Sequence, residues 1–399
     1  MSRTSCSFRF RTQLAATVLL SACVISCAVA PPPTLSDDEK NFGSPEDILF
    51  WTPSQQIAGY RNNEKIAPTR VIRAGDSVYA LPVERVELDD VSFSSDETDY
   101  TIDEYFASTK IAGLLVIKNG KIVYERYGLG NTKDTSWISF SVAKSVTSLL
   151  VGAAIRDGYI KSVDEKVTDY LPRLKDSSYD EVSIRNILQM SSGVEWNEDY
   201  EDRNSDINRV EWDTLGLYEY LRAKPRDAAP GEVFNYNTAE TNLVGTLLRS
   251  AIGNNLSTYL SEKIWVPFGM EADAYWGLVE PGGGEFGGCC ISATLRDYGR
   301  IGLFVLNGGK LADGTEVLAE GWMRESTTPS RGSPDYGYQW WLEGDGVFGG
   351  YGVFGQRIYV DPKEGVVIAQ HSAWPHADHD SDWLLQNAMY EGIVAALRE

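Results

Sequence analysis

Strand-forming runs stand near both ends of this 399-residue chain with a long helical stretch between them, and that order limits the fold more than any other feature. The first pair is Gly113-Leu-Leu-Val-Ile-Lys118 and Lys121-Ile-Val-Tyr-Glu-Arg-Tyr127, separated by Asn119-Gly120. Asn-Gly suits a two-residue turn in which both central positions need positive φ, so residues 111–127 read as a hairpin. The last pair is Arg357-Ile-Tyr-Val360 and Val366-Val-Ile-Ala369, joined by the turn Asp361-Pro-Lys-Glu-Gly365. Between them, residues 161–279 read as helices and long loops, with residues 182–190 and 238–251 amphipathic; Leu243, Val244, Leu247 and Leu248 keep helical spacing. Thr294-Leu-Arg-Asp297 reads as a capping box for a helix through Val305, stopped by Asn307-Gly-Gly309, and a final helix spans 382–397. The expected class is α/β (α+β): one antiparallel sheet from both chain ends, flanked by helices, with an inserted helical domain. The sheet domain would take residues 111–135 and 285–399, and the helical domain residues 136–284. Residues 41–110 form an arm that wraps the rest, with an acidic, poorly periodic link over 81–99.

The start of the chain reads as an export signal over residues 1–22. Arg3, Arg9 and Arg11 precede an apolar run from Leu14 to Leu20, too short to span a bilayer. Leu20-Ser-Ala-Cys23 resembles the lipobox of bacterial lipoproteins, which makes Cys23 the expected lipid attachment site and residues 23–40, with Pro31-Pro-Pro33, a tether. Two rival processing sites are Val24-Ile-Ser-Cys27 and Ala28-Val-Ala30, the second opposed by Pro31. The protein is thus expected on the periplasmic face of a bacterial membrane, and Val24 after Cys23 leans towards the outer membrane of a Gram-negative host. Cleavage at Cys23 would remove three arginines and no acids, taking the net charge from −21 to −24. So acidic a chain is a poor nucleic-acid binder. The remaining cysteines, Cys27 and the adjacent pair Cys289-Cys290, make no disulfide framework; adjacent cysteines close only a strained ring, so buried thiols are expected.

Chemistry concentrates at Ser141-Val-Ala-Lys144, where a polar loop turns into an apolar helix that runs to Asp157 and closes at Gly158. Residues i and i+3 share a helix face, so the Lys144 amine reaches the Ser141 hydroxyl. A lysine desolvated on such a face has its pKa lowered and can take the serine proton. The Ser141 N–H at a helix N-terminus would favour a developing oxyanion. A chance occurrence of Ser-x-x-Lys is the plain alternative.

With this motif, four further stretches resemble the serine β-lactamase, penicillin-binding protein and esterase superfamily. They are Ile187-Leu-Gln-Met-Ser-Ser-Gly193, Pro230-Gly-Glu-Val-Phe-Asn-Tyr236-Asn-Thr, Ala293-Thr-Leu-Arg-Asp-Tyr-Gly-Arg-Ile-Gly302 and Gly352-Val-Phe-Gly-Gln356. Trp196-Asn-Glu-Asp-Tyr200 resembles the branch of 6-aminohexanoate-dimer (nylon-oligomer) hydrolases and related esterases. The resemblance implies Ser141 as nucleophile, Lys144 as base and Tyr236 as the proton donor to the leaving group. Cations near the phenol are expected to lower its pKa. It further implies an oxyanion hole of the Ser141 and Val353 amides, with Tyr200, Trp196, Gly352 and Asn237 contacting a small ester or amide substrate. No metal or organic cofactor is implied. Where the superfamily carries Lys-Thr-Gly or His-x-Gly, this chain has Gly350-Tyr351-Gly352, which weighs against β-lactamase or D-amino-acid carboxypeptidase work. A binding or sensing lipoprotein without catalysis is the alternative of another class.

Three other signals point elsewhere or nowhere. His371, His376 and His379 lie in one segment broken by Pro375, expected as a loop near the mouth of the site rather than a zinc centre. No Gly-x-Ser-x-Gly elbow occurs, which counts against a Ser-His-Asp hydrolase. The acidic run over residues 195–213 reads as a solvated face or as a steering surface for an amine.

Overall fold

A computed structural model describes residues 36–398. The export signal, Cys23 and Cys27 lie outside the described residues. The central sheet has six antiparallel strands: β1 (Ile111–Lys118), β2 (Lys121–Tyr127), β3 (Trp341–Gly344), β4 (Val347–Tyr351), β5 (Arg357–Asp361) and β6 (Val366–Ser372). Their spatial order is β2-β1-β6-β5-β4-β3, so the two chain ends meet where β1 pairs with β6. The β1–β2 hairpin closes as Asn119-Gly120 dictates, with φ of 50° and 76° and Lys118 opposite Lys121.

β1 reads as one unbroken apolar run because both of its faces are covered. Leu115 and Ile117 join Val367, Ala369 and Phe304 in the larger core, while Leu114 and Val116 join Ile368, Met389 and Ile393 on the opposite face. Those opposite covers are the helices α3 (Leu295–Leu306) and α4 (Asp380–Ala396), which follow α1 (Val142–Arg156) and α2 (Thr238–Ile252) in the chain. Thr294 caps α3 as its sequence predicts, accepting from the Asp297 amide at 3.2 Å. The α/β class with a both-ended sheet therefore holds.

A second sheet of four short strands was not visible in the sequence. It runs Thr69–Ile72, Ala274–Gly277, Ile291–Ala293, Trp137–Ile138. The N-terminal arm is thus more than a wrapping: Thr69–Ile72 pairs with Ala274–Gly277, far along the chain. The link over 81–99 carries a small hairpin of Ser92–Ser95 with Thr98–Thr101. Residues 82–86 also run along β2, where Ile122 donates to the Pro82 carbonyl and the Glu84 and Val86 amides donate to Ile122 and Val123.

Candidate active site

α1 is buried along most of its length, from Val142 to Ala154, so it can carry a functional group into the interior without exposing it. Ser141 sits at its N-cap position and Lys144 one turn inside. Lys144 is 1% exposed, and its amine lies 2.9 Å from the Ser141 Oγ. It also donates to Thr238 Oγ1 and to the Gly288 carbonyl, each at 2.9 Å. Burial lowers the Lys144 pKa to about 7, against an opposing pull from Glu198. An amine held this way is available as a base near neutral pH.

Glu198 was not singled out by the sequence. It is partly buried, and four donors surround it: the Thr238 amide at 3.0 Å, the Thr238 hydroxyl, the Trp196 indole N–H and the Tyr200 hydroxyl at 2.9 Å. Burial pushes its carboxyl above the usual range, with Lys144 and these donors acting the other way. A readable signal did exist. Trp196 and Tyr200 flank Glu198 at i−2 and i+2, positions that face the same way along an extended segment. The sequence marks Trp196 and Tyr200 as substrate contacts and the acidic run around them as a solvated or steering face, but Glu198 itself turns into the cavity.

Ser141 opens into a cavity of about 280 Å³ lined with it by Glu198, Tyr200, Tyr236, Trp341, Tyr351, Gly352, Val353, Asp378 and Trp383. One wall is a run of stacked rings. Tyr236 stacks on Trp341 at 5.8 Å, Trp341 on Tyr351 at 5.6 Å, and Tyr351 on Trp383 at 5.1 Å. Arg357, fully buried, donates to the Tyr351 hydroxyl at 2.9 Å and holds that ring in place. Tyr236 lines the cavity together with Ser141, and the Lys144 Nζ lies 5.0 Å from its ring centroid.

Four sequence expectations need correction. The Tyr236 phenol is raised above its ordinary pKa, not lowered: burial dominates, and Glu198 and Asp378 add to it. Trp196 and Asn237 are not among the residues lining the cavity. Trp196 packs edge-on against Tyr220 and holds Glu198 from behind, while Asn237 caps α2 by accepting from the Glu240 amide at 3.0 Å. Cys289 and Cys290 are joined in a disulfide, not held as thiols, in a turn where Cys290 takes a φ of 76°. Finally, His371 is not in a loop; it lies inside β6, fully buried and stacked on Trp137 at 6.0 Å. His379 does lie beside the cavity, in an acidic groove with Asp199, Glu201, Asp378 and Asp380.

Gly352 and Val353 follow β4 and line the cavity. A Cβ at Gly352 would come 2.5 Å from the Ser139 carbonyl, so only glycine lets this turn approach the chain leading into Ser141. Among the described residues, neither the Ser141 nor the Val353 amide donates to a protein acceptor. Gly350 is equally confined: its Cβ would meet the Ser145 Oγ at 2.8 Å.

The sequence matches the family described as Beta-lactamase over residues 99–389. The chain belongs to the beta-lactamase family. As a member it is a serine hydrolase of the kind that acts on ester or amide bonds. It is 29% identical over 370 residues to the 6-aminohexanoate-dimer hydrolase of Paenarthrobacter ureafaciens, a match that covers 86% of this chain and 92% of that protein. A solved structure from Bacillus anthracis, provisionally named a 6-aminohexanoate-dimer hydrolase, superposes with a TM-score of 0.76 at 24% identity, covering 86% of this chain and 95% of the other. A family VIII carboxylesterase shares the fold at a TM-score of 0.57 and 17% identity, over 73% and 95% of the two chains.

Proposed function

We propose that this beta-lactamase-family hydrolase cleaves small esters or amides through an acyl-enzyme on Ser141. The contact of the Lys144 amine with the Ser141 hydroxyl, in a site dry enough to bring the amine to about 7, carries this reading. Lys144 takes the Ser141 proton as Oγ adds to the substrate carbonyl. The oxyanion falls to the two unengaged amides of Ser141 and Val353. Tyr236, neutral because burial and two carboxylates hold its proton, donates to the departing alcohol or amine, and Lys144 returns the proton to it. Water then cleaves the acyl-enzyme and regenerates Ser141.

The preferred substrate lacks a carboxylate next to the scissile bond. The cavity lining includes the acids Glu198 and Asp378 and no Lys, Arg or His. The relative named for hydrolysing the 6-aminohexanoate dimer supports a small amide or ester. The test is hydrolysis of p-nitrophenyl butyrate by a form starting after Cys27, against Ser141→Ala. Loss of about a thousandfold or more in the variant supports the reading; equal rates would sink it. Tyr200 and Gly352 are the other lining residues assigned to substrate contact.

Export and lipidation at Cys23 complete the proposal, supported by the Leu20-Ser-Ala-Cys23 sequence. Cell fractionation of the full chain would then find it in membranes, and Cys23→Ser in the soluble fraction. Membrane retention of the variant would point to Cys27 or to another mode of attachment.

A further inference from the structure

The two amides proposed to hold the oxyanion belong to distant segments, and each is followed or preceded directly by a phenylalanine. Phe140 precedes Ser141, and Phe354 follows Val353. The two rings meet edge to face at 5.0 Å. A third ring fills the angle between them: Tyr60, fully buried, lies 5.0 Å from Phe140 and 5.7 Å from Phe354. Tyr60 also meets Trp137, four residues before Ser141, at 5.9 Å.

Phe140 has a φ of 43°, a backbone state that a bulky L residue takes only where its surroundings hold it there. Its ring contacts with Tyr60 and Phe354 are those surroundings. Tyr60 itself ends the helix Pro53–Tyr60, in the N-terminal arm and outside the residues 99–389 matched to the family. The helix is fixed from both sides. Trp51 stacks on Tyr60 at 5.8 Å, and the adjacent Arg61 donates to the Leu129 carbonyl at 2.7 Å and pairs with Asp38.

We propose that Tyr60 is a positioning residue for the oxyanion site, by which the N-terminal arm sets the spacing and direction of the Ser141 and Val353 amides. The inference rests on the proposed role of those amides. The ring, and not the hydroxyl, does this, because the contacts are aromatic and the hydroxyl lies beside Gln56.

The experiment compares wild type, Tyr60→Phe and Tyr60→Leu in two measurements: steady-state hydrolysis of p-nitrophenyl butyrate, and inhibition by phenylboronic acid, whose tetrahedral serine adduct places an oxygen where the oxyanion forms. Tyr60→Phe is expected within about twofold of wild type in both. Tyr60→Leu, still folded by circular dichroism, is expected to lose about ten- to a hundredfold in kcat with KM within about threefold, and to bind the boronate more weakly by a similar factor. Phe354→Leu loosens the same contact from the sheet side and carries the test, with the same expectation, if Tyr60→Leu does not fold. A folded leucine variant with wild-type kcat and boronate affinity overturns the proposal while leaving the Ser141 reading intact. A wild type that neither hydrolyses the ester nor binds the boronate overturns both.

Discussion

Lys144 and Glu198 are joined through a single hydroxyl: Thr238 Oγ1 accepts from the Lys144 amine at 2.9 Å and donates to the Glu198 carboxylate. The carboxylate therefore acts on the base without sitting in its first ring of contacts. Its charge favours the ammonium form and partly offsets the burial that brings Lys144 to about 7.

That relationship sets a pH dependence. The working base is the neutral amine, so the rate of wild type rises with pH through about 7 and then levels. Glu198→Gln removes the charge that favours the ammonium, so the Lys144 pKa drops further and the acidic limb moves to lower pH. The kcat/KM profile of both proteins for p-nitrophenyl butyrate checks this. A limb that stays in place or moves upward would remove Glu198 from the electrostatics of the base.

Tyr236 makes the opposite kind of statement. Burial and two neighbouring carboxylates keep its phenol protonated, so no alkaline limb from this group is expected below about pH 10. Tyr236→Phe should lower kcat by about 10²–10⁴ while a fluorophosphonate still labels Ser141. Equal turnover of the phenylalanine variant would assign leaving-group protonation elsewhere.

Substrate charge offers a third check. A β-lactam brings its own carboxylate into a cavity whose lining holds Glu198 and Asp378 and no basic side chain. Nitrocefin is expected to be turned over at least about a thousandfold less efficiently than p-nitrophenyl butyrate, in line with the cost of an unpaired buried charge. Gly350→Lys should not rescue it, because a Cβ there meets Ser145 Oγ at 2.8 Å. Efficient nitrocefin hydrolysis by wild type would refute the charge argument.

Asn237 is expected to serve stability rather than substrate contact. Its side chain caps α2, so Asn237→Ala should cost about 0.5–2 kcal/mol in urea unfolding and leave KM unchanged. A raised KM with unaltered stability would return Asn237 to the binding site.

The sequence carried the parts of the fold whose signals are local. Asn119-Gly120, Thr294 with Asp297, and Ser141 with Lys144 each rest on spacings within one turn, and each is found as read. What escaped depends on segments far apart. The pairing of Thr69–Ile72 with Ala274–Gly277 has no local mark on either strand. The cavity wall gathers Tyr236, Trp341, Tyr351 and Trp383 from three parts of the chain, and each ring alone reads as ordinary core. The phenol pKa was misjudged for the same reason: Lys144 is announced by its motif, but the carboxylates of Glu198 and Asp378 and the depth of the site are not.

The segment laid along β2 by residues 82–86 bears on how copies of this protein meet. A bare edge strand is a template on which another chain can add its own. Here the β2 edge is occupied: the Pro82 carbonyl accepts from it, and the Glu84 and Val86 amides donate to it. A chain cut just before Ile111 would keep the Ser141 site's own segments and yet uncover this row of amides and carbonyls. Self-association through strand addition would begin at β2, and the arm serves in that sense as the protein's own guard against aggregation.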